Sequence, residues 1–159
     1  MDKSANFSSC RKYRYSLRRV WNPDEPIALF IGLNPSTADE EKDDPTIRRC
    51  IGIAGAWGFG GLIMCNLFAA RSADPDRLGQ FDDPVGPGNC GYIEAAMKEA
   101  SKVICCWGRN PLAKEVSTKV LSLLPASKCY CIEKNRDHSP RHPLYVPRDC
   151  GLQPYAVAR

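Results

Sequence analysis

The chain contains four short strand-like runs, at residues 27–31, 62–68, 103–107 and 128–132. The first three are almost continuously apolar, which is typical of strands that are covered on both faces, as in the centre of a parallel sheet. Three segments between or after these runs carry apolar residues at helical spacing: 44–54, 92–100 and 111–124. This alternation predicts an α/β fold, a three-layer α/β/α sandwich with a central, mainly parallel four-stranded sheet.

A chain of 159 residues can build one ordinary hydrophobic core, so we expect a single domain over residues 1–159. No stretch approaches the roughly 18 consecutive apolar residues that a membrane-spanning helix needs. Residues 1–6 lack the basic and apolar regions of a secretory signal. We therefore predict a cytoplasmic protein that does not bind membranes, and the sequence indicates no obligate protein partner.

The chain has nine cysteines, but their number is odd and no C-x-x-C occurs. This spacing argues against a disulfide framework and against a metal or iron–sulfur site. Free thiols in strands usually behave as small buried apolar groups. That expectation applies to Cys65, Cys105, Cys106 and Cys131. We expect neither a metal nor a cofactor.

Residues 11–20 form a basic N-terminal segment that also contains two tyrosines. One interpretation is nucleic-acid binding, in which Arg11, Arg14 and Arg18 neutralise phosphates while the rings stack on bases. The other is a solvated edge strand whose charges prevent aggregation.

In open α/β sheets, ligands bind outside the carboxyl ends of the strands. This rule selects the loops at residues 32–44, 68–89, 108–110 and 133–145. Asn34 follows a buried strand between Gly32 and Pro35, so its amide should be held in one direction, able to donate to a carbonyl and to accept from water. An Asx turn is the alternative. Asn66 and Arg71 are candidates for the same cleft.

The last of these loops holds both histidines of the chain, His138 and His142, together with Arg136 and Arg141. Such a group can hold a phosphate or oppose charge that develops on an oxygen. A solvent-exposed basic turn is the alternative.

The first loop is acidic, and it places two adjacent carboxylates, Asp43 and Asp44, before a predicted helix. Either could act as a general base that activates water. Helix capping is the alternative, above all for Asp44, because carboxylates favour a helix N-terminus. Asp39 lies outside the predicted helix, so capping explains it less well.

The pairing of GLNPS at residues 32–36 with HSPRHP at residues 138–143 resembles the two active-site motifs of the uracil-DNA glycosylase superfamily. The chain also resembles a phage and bacterial family with GLNPSTAD, DDPTIRR, NLFA-x-R and PRHPLYV blocks, which covers most of residues 28–146 and implies no activity. The superfamily resemblance implies a glycosylase-like fold and excision of a base flipped out of DNA, because the glycosidic bond is inaccessible inside a duplex.

This resemblance implies roles for the matching residues. Asn34 would position the attacking water, and His138 or His142 would stabilise the leaving pyrimidine. The loop of Ser139, Pro140 and Arg141 would press against the DNA strand and fill the gap left by the flipped base. The pocket would be built from the first loop, with Gly32, Leu33, Pro35 and Ser36.

The leading hypothesis is a DNA glycosylase that removes a modified or damaged pyrimidine. Its candidate catalytic residues are Asn34, His138, His142 and Asp43, and DNA is its expected partner. A hypermodified phage base is an alternative target, which would give the protein a role in phage defence. Two other hypotheses remain open: a catalytically inactive nucleic-acid-binding module on the same scaffold, and an enzyme that acts on free nucleotides.

Overall fold

The computed structural model describes residues 1–155. Its strands are β1 (Asp2–Phe7), β2 (Arg14–Val20), β3 (Ile27–Gly32), β4 (Gly61–Asn66), β5 (Lys102–Cys105), β6 (Cys129–Cys131) and β7 (Gln153–Pro154). Its α-helices are α1 (Pro45–Ala56), α2 (Asn89–Glu99) and α3 (Ala113–Leu123), and short 3₁₀ helices lie at Pro75–Gln80, Ala126–Lys128 and Pro143–Tyr145. Within residues 1–155, no helix combines the length and the apolar character that crossing a membrane requires.

All seven strands belong to one sheet, in the spatial order β1-β2-β4-β3-β5-β6-β7. Strands β4, β3, β5 and β6 run parallel to one another, whereas β1, β2 and β7 pair in antiparallel fashion. The predicted four-stranded, mainly parallel sheet is therefore wrong, because the sheet is seven-stranded and mixed. The outermost strands escaped prediction because β1 is a mostly exposed polar edge and β7 has only two residues.

Helices cover both faces of the sheet. On one face, Ile47 and Ile53 of α1 join an apolar cluster with Phe30 of β3. On the other face, Ile93 of α2 and Val120 of α3 join a second cluster. Successive residues of β3 alternate between the two clusters, since neighbouring side chains of a strand point to opposite faces. This explains why residues 27–31 are apolar without interruption.

The nine cysteines are all free thiols. The four cysteines expected inside strands are buried, and burial raises the pKa of the Cys65 and Cys106 thiols to about 12. In the part of the chain that the structure describes, no group of three or more His, Cys, Asp or Glu side chains is placed to hold a metal ion.

Strand β2 lies inside the sheet, between β1 and β4. The interpretation of residues 11–20 as an edge strand is therefore wrong. Arg19 of this strand is instead fully buried and donates to Asp43 and to backbone carbonyls. These bonds attach the acidic loop before α1 to β2.

Helix α1 begins where the sequence predicted, because Asp44 Oδ1 accepts a hydrogen bond from the Ile47 backbone N–H at 2.9 Å and Pro45 opens the first turn. The capping interpretation of Asp44 is thus confirmed. The cap also fixes the position of this carboxylate at the end of the loop that follows β3.

Candidate functional site

A cavity of ≈ 570 Å³ opens at the carboxyl ends of β3, β4 and β5. Its walls come from the loop after β3, the end of β4, the loop after β5 and the segment around the last 3₁₀ helix. Many predicted site residues line it together: Gly32, Leu33, Asn34, Ser36, Asn66, Arg141 and His142. Residues 34 and 142 are far apart in sequence, so the fold of the sheet is what joins these loops at one site.

The amide of Asn34 is held by two backbone carbonyls. Its Nδ2 donates to the oxygen of Ser72 at 2.9 Å and to that of Pro35 at 3.2 Å. These acceptors identify the nitrogen end of the amide, which leaves Oδ1 as the end that can accept a hydrogen bond. Two functions were predicted for the Asn34 amide. Its Nδ2 donates within the protein, and its Oδ1 remains able to accept a hydrogen bond from a water or ligand.

Asn66 presents a buried amide to the same cavity. The residue is 3% exposed, and its Nδ2 has no hydrogen-bond partner among residues 1–155. A Cβ added to Gly32 would lie 2.7 Å from Asn66 Oδ1, so only glycine lets the amide lie this close to β3. A buried donor without a partner costs free energy, and its position in a cavity wall indicates a ligand that accepts a hydrogen bond.

Arg14 and Asp44 add a charged wall. Arg14 is 2% exposed and donates from Nη1 to the Ala38 carbonyl at 3.1 Å, while its Nε has no partner among the described residues. Burial lowers the pKa of Arg14 to about 10, with the Asp44 carboxylate opposing that shift and the Arg71 guanidinium adding to it. Asp44 Oδ2 accepts only a long bond of 3.4 Å from the Ala38 N–H, so it retains capacity for a ligand or water.

His142 is held as a neutral imidazole. Its Nδ1 accepts a hydrogen bond from the Leu144 backbone N–H at 3.2 Å. Burial lowers the pKa of the imidazole below its ordinary value of 6.5, against a smaller opposing effect of Asp44. An imidazole whose Nδ1 accepts carries its proton on Nε2. His142 can therefore donate a hydrogen bond from Nε2 while it remains uncharged.

Asp43, the predicted general base, does not line the cavity. Its Oδ1 accepts a hydrogen bond from Arg19 Nε at 2.8 Å, and its Oδ2 lies 3.6 Å from Lys3 Nζ. Asp43 neutralises a fully buried guanidinium, and this is the physical reason for its distance from the cavity. The carboxylate that lines the cavity is Asp44.

Several residues predicted from the late loop lie away from the cavity. His138 and Ser139 line an adjoining groove, and the His138 backbone has a left-handed φ of 67°. Pro140 is buried, and its carbonyl accepts from the Gly108 N–H at 2.8 Å. Of the residues predicted from this loop, Arg141 and His142 reach the cavity.

The arginines predicted to contact DNA do not form a free basic surface. Arg11 pairs with Glu40 at 3.0 Å and Arg18 with Glu99 at 2.5 Å, while Arg14 is buried at the cavity. Two residues predicted for the pocket also lie outside it. Pro35 contributes only its carbonyl to Asn34, and Arg71 lies in a recess beside the cavity.

Several lining residues had no sequence prediction of their own: Trp107, Arg109, Asn110, Asn135 and Tyr145. The loop at residues 108–110 was selected by its position after a strand, but no single residue in it was. Arg14 was predicted to contact DNA or to lie in a solvated edge strand. Its burial was missed because an arginine-rich strand has the same polar pattern whether it lies at an edge or inside the sheet.

Fold and site together define a mixed-sheet α/β protein with a small-molecule-sized cavity, lined in part by polar and charged side chains, at the carboxyl edge of its parallel strands. The chain belongs to the family described as protein of unknown function (DUF1643), whose model matches residues 14–144. Neither a curated protein nor a solved structure matches the chain significantly.

The assignment to the uracil-DNA glycosylase superfamily is wrong, since DUF1643 is the family that matches and no match to that superfamily accompanies it. The two motifs behind the assignment are short and rich in glycine, proline, serine and asparagine. Turn chemistry alone favours such residues in loops that follow strands, so motifs of this length carry a substantial risk of false matches.

Proposed function

We propose that the protein hydrolyses the N-glycosidic bond of a pyrimidine nucleotide, acting as a DNA glycosylase on a modified or damaged base. One observation carries the proposal: an amide acceptor, a carboxylate and a neutral imidazole donor line a single cavity of ≈ 570 Å³, contributed by Asn34, Asp44 and His142. This volume lies within the usual range for small-molecule sites of roughly 300–1,000 Å³.

These three groups suit the two halves of the reaction. Asn34 Oδ1 and Asp44 Oδ2 would each accept from the attacking water, and Asp44 would take its proton as the water oxygen bonds to the anomeric carbon. The bond from that carbon to the base nitrogen breaks, and its electron pair leaves with the base. The Nε2–H of His142 would stabilise the resulting negative charge on a base oxygen. The products are an abasic sugar and the free base.

Asn66 supports the assignment of a base to this cavity. Its unpartnered Nδ2 is a buried donor, and a pyrimidine carbonyl oxygen is an acceptor of matching size. A site that leaves a buried polar group unpaired discriminates against ligands that lack the complementary atom. We expect the preferred base to carry a carbonyl where Asn66 donates.

Exposed apolar side chains at the rim favour a substrate within DNA. Leu144 and Tyr145 are 44% and 70% exposed, and both line the cavity. Aromatic and apolar side chains at such a position can stack on bases next to a flipped nucleotide.

A free nucleotide is the second candidate substrate. It is favoured by the ion pairs of Arg11 and Arg18 with carboxylates, which leave fewer cations to follow a DNA backbone. The reaction in the cavity would be the same.

The test uses oligonucleotides that each carry one modified pyrimidine, including hypermodified phage bases, followed by alkaline cleavage at abasic sites. We expect an abasic product from at least one oligonucleotide. Asn34→Ala should slow its release about 100- to 1,000-fold, corresponding to roughly 2.7–4 kcal/mol. Asn22→Ala, in an exposed turn, is the matched control and should retain the wild-type rate.

Free pyrimidine nucleotides are assayed in parallel for release of base. Release from these alone would select the second candidate. If no oligonucleotide yields an abasic site and no nucleotide yields free base, the proposal fails, and a binding module without catalysis is the hypothesis that remains.

A further inference from the structure

A second, shallower recess of ≈ 420 Å³ adjoins the cavity. The two share Ser36, Ser72 and Ala73 in their walls. We name this second recess the cationic recess, because its remaining lining consists of Arg11, Lys12, Thr37 and Arg71. A ligand in the cavity would therefore lie next to this recess.

The positive charges of the cationic recess are crowded. The guanidinium carbons of Arg11 and Arg71 lie 3.9 Å and 4.8 Å from the centre of one ring, that of Phe7. Cation–π attraction to this ring stabilises both charges. The Phe7 ring thereby holds both cations in the lining of the recess.

Carboxylates neutralise little of this charge. Glu40 pairs with Arg11 at 3.0 Å, but within residues 1–155 no carboxylate forms an ion pair with Arg71 or with Lys12. The recess therefore has more positive than negative charge, and an anionic ligand would complete it.

The backbone holds this arrangement in place. The Arg71 N–H donates to the Lys12 carbonyl at 3.0 Å, and Arg71 Nη1 donates to the Arg11 carbonyl at 3.4 Å. The hydroxyls of Ser36 and Thr37 make no hydrogen bond to other described residues, so they remain able to donate to a ligand. Two guanidiniums, an ammonium and two hydroxyls match the acceptor oxygens of a phosphate group.

We propose that the cationic recess binds a phosphate of the nucleotide whose base occupies the cavity. This inference deepens the proposed function and rests on it for the identity of the base and sugar. The shared chemistry is a phosphate ester, which can be the monoester of a free nucleotide or a diester within a DNA strand.

Calorimetry on the full chain tests the proposal with four probes: inorganic phosphate, deoxyuridine, deoxyuridine 5′-monophosphate, and an oligonucleotide with one internal deoxyuridine. We expect the phosphate of at least one nucleotide to improve the dissociation constant about tenfold or more over the nucleoside, as charge-assisted hydrogen bonds usually do. A gain for the monophosphate alone identifies a free nucleotide, and a gain for the oligonucleotide identifies DNA.

Arg71→Gln should remove this gain and leave the affinity for deoxyuridine unchanged. Lys12→Gln, at an exposed position, should lose a smaller part of the affinity gained from the phosphate. This variant replaces Arg71→Gln in the test if Arg71→Gln does not fold. Arg18→Gln is the matched control, because Arg18 pairs with Glu99 and lines neither the cavity nor the recess.

The two proposals can fail separately. If phosphate binding depends on Arg71 but the protein releases no base from any substrate, the phosphate-binding proposal stands and the glycosidase proposal fails. Equal affinities for nucleoside, monophosphate and oligonucleotide, with no binding of inorganic phosphate, would overturn the recess, even if base release is observed.

Discussion

Arg14 and Arg19 belong to the same strand, and both are buried, yet their surroundings differ. The Arg19 guanidinium donates to Asp43 and to the backbone carbonyls of Ser4, Arg18, Asp39 and Lys42. Arg14 donates to one carbonyl, and its Nε has no partner among the described residues. Equal burial therefore accompanies full hydrogen bonding at one position and incomplete hydrogen bonding at the other.

This difference separates a structural charge from one that is available to a ligand. A buried guanidinium with all its donors paired stabilises the connection between β2 and the acidic loop. A buried guanidinium with an unpaired donor has lost its hydration, and no hydrogen bond within the folded protein compensates for that loss. Arg14 lines the cavity and Arg19 does not. The uncompensated desolvation of a guanidinium therefore occurs where a ligand can bind.

The largest effect is expected for Arg19→Met. Removing the guanidinium leaves Asp43 and several carbonyls without their donor, which should lower the free energy of unfolding by about 3–5 kcal/mol. Urea unfolding followed by circular dichroism measures this change. Arg18→Met, which breaks a surface ion pair, should cost no more than about 1 kcal/mol. Equal unfolding midpoints for the two variants would contradict the structural role of Arg19.

Arg14→Met should show the opposite balance. We expect a smaller loss of stability than in Arg19→Met, because few hydrogen bonds are broken. Base release should fall about 10- to 100-fold, as for loss of a charged hydrogen-bond donor worth roughly 1.5–3 kcal/mol. Unfolding and single-turnover rates are measured on the same preparations. A variant as unstable as Arg19→Met, with unchanged activity per folded molecule, would remove the distinction between the two arginines.

Gly32→Ala extends the test from charged donors to a neutral donor, the amide of Asn66. The added Cβ would lie 2.7 Å from Asn66 Oδ1, and the buried amide must turn away from its present direction. We expect base release to slow several-fold, for a hydrogen bond of about 0.5–1.5 kcal/mol. Gly52→Ala is the control, because nothing lies within 4 Å of its added Cβ. It should retain activity and stabilise α1 slightly.

The smallest effect is a dependence of stability on pH through His142. Burial lowers the pKa of this imidazole below 6.5, so in mild acid the unfolded chain binds a proton that the folded chain does not. The stabilisation is present above the unfolded pKa and is lost as pH falls through the folded pKa. Unfolding free energies at about pH 7.5 and about pH 5.5 measure this slope.

His142→Gln should flatten the slope, and His138→Gln, at an exposed position, is the matched control. The same slope in wild type and His142→Gln would show that other groups cause it. The acid limb of base release should likewise lie below pH 6.5, because burial keeps His142 neutral until the pH falls below the ordinary pKa of an imidazole.

The inner strands and the three helices were predictable, because their apolar patterns reflect burial that each segment shows locally. Residues 27–31 are apolar without interruption since both faces of β3 are covered. The position of β2 was not predictable. Its arginines find partners in the loop at residues 39–43, and such pairing depends on tertiary contacts that strand propensity does not encode.

The site was predictable as loops but not as individual residues. The carboxyl-end rule selected the loops that carry Asn34, Asn66 and His142. It did not choose between Asp43 and Asp44, because adjacent residues on a loop point in different directions. The hydrogen bond from Arg19 holds Asp43 away from the cavity, and the hydrogen bond from the Ile47 N–H holds Asp44 at the cavity wall. It also did not separate His142, which lines the cavity, from His138, which lies in a left-handed turn and lines the adjoining groove.

The order of the strands has a consequence for biosynthesis. The cavity wall combines Arg14, from β2, with His142 and Tyr145, which follow β6 in the sequence and are therefore synthesised much later. A nascent chain that has released only its first hundred or so residues can form the centre of the sheet but not this wall. The complete cavity wall can therefore form only after residue 145 has left the ribosome.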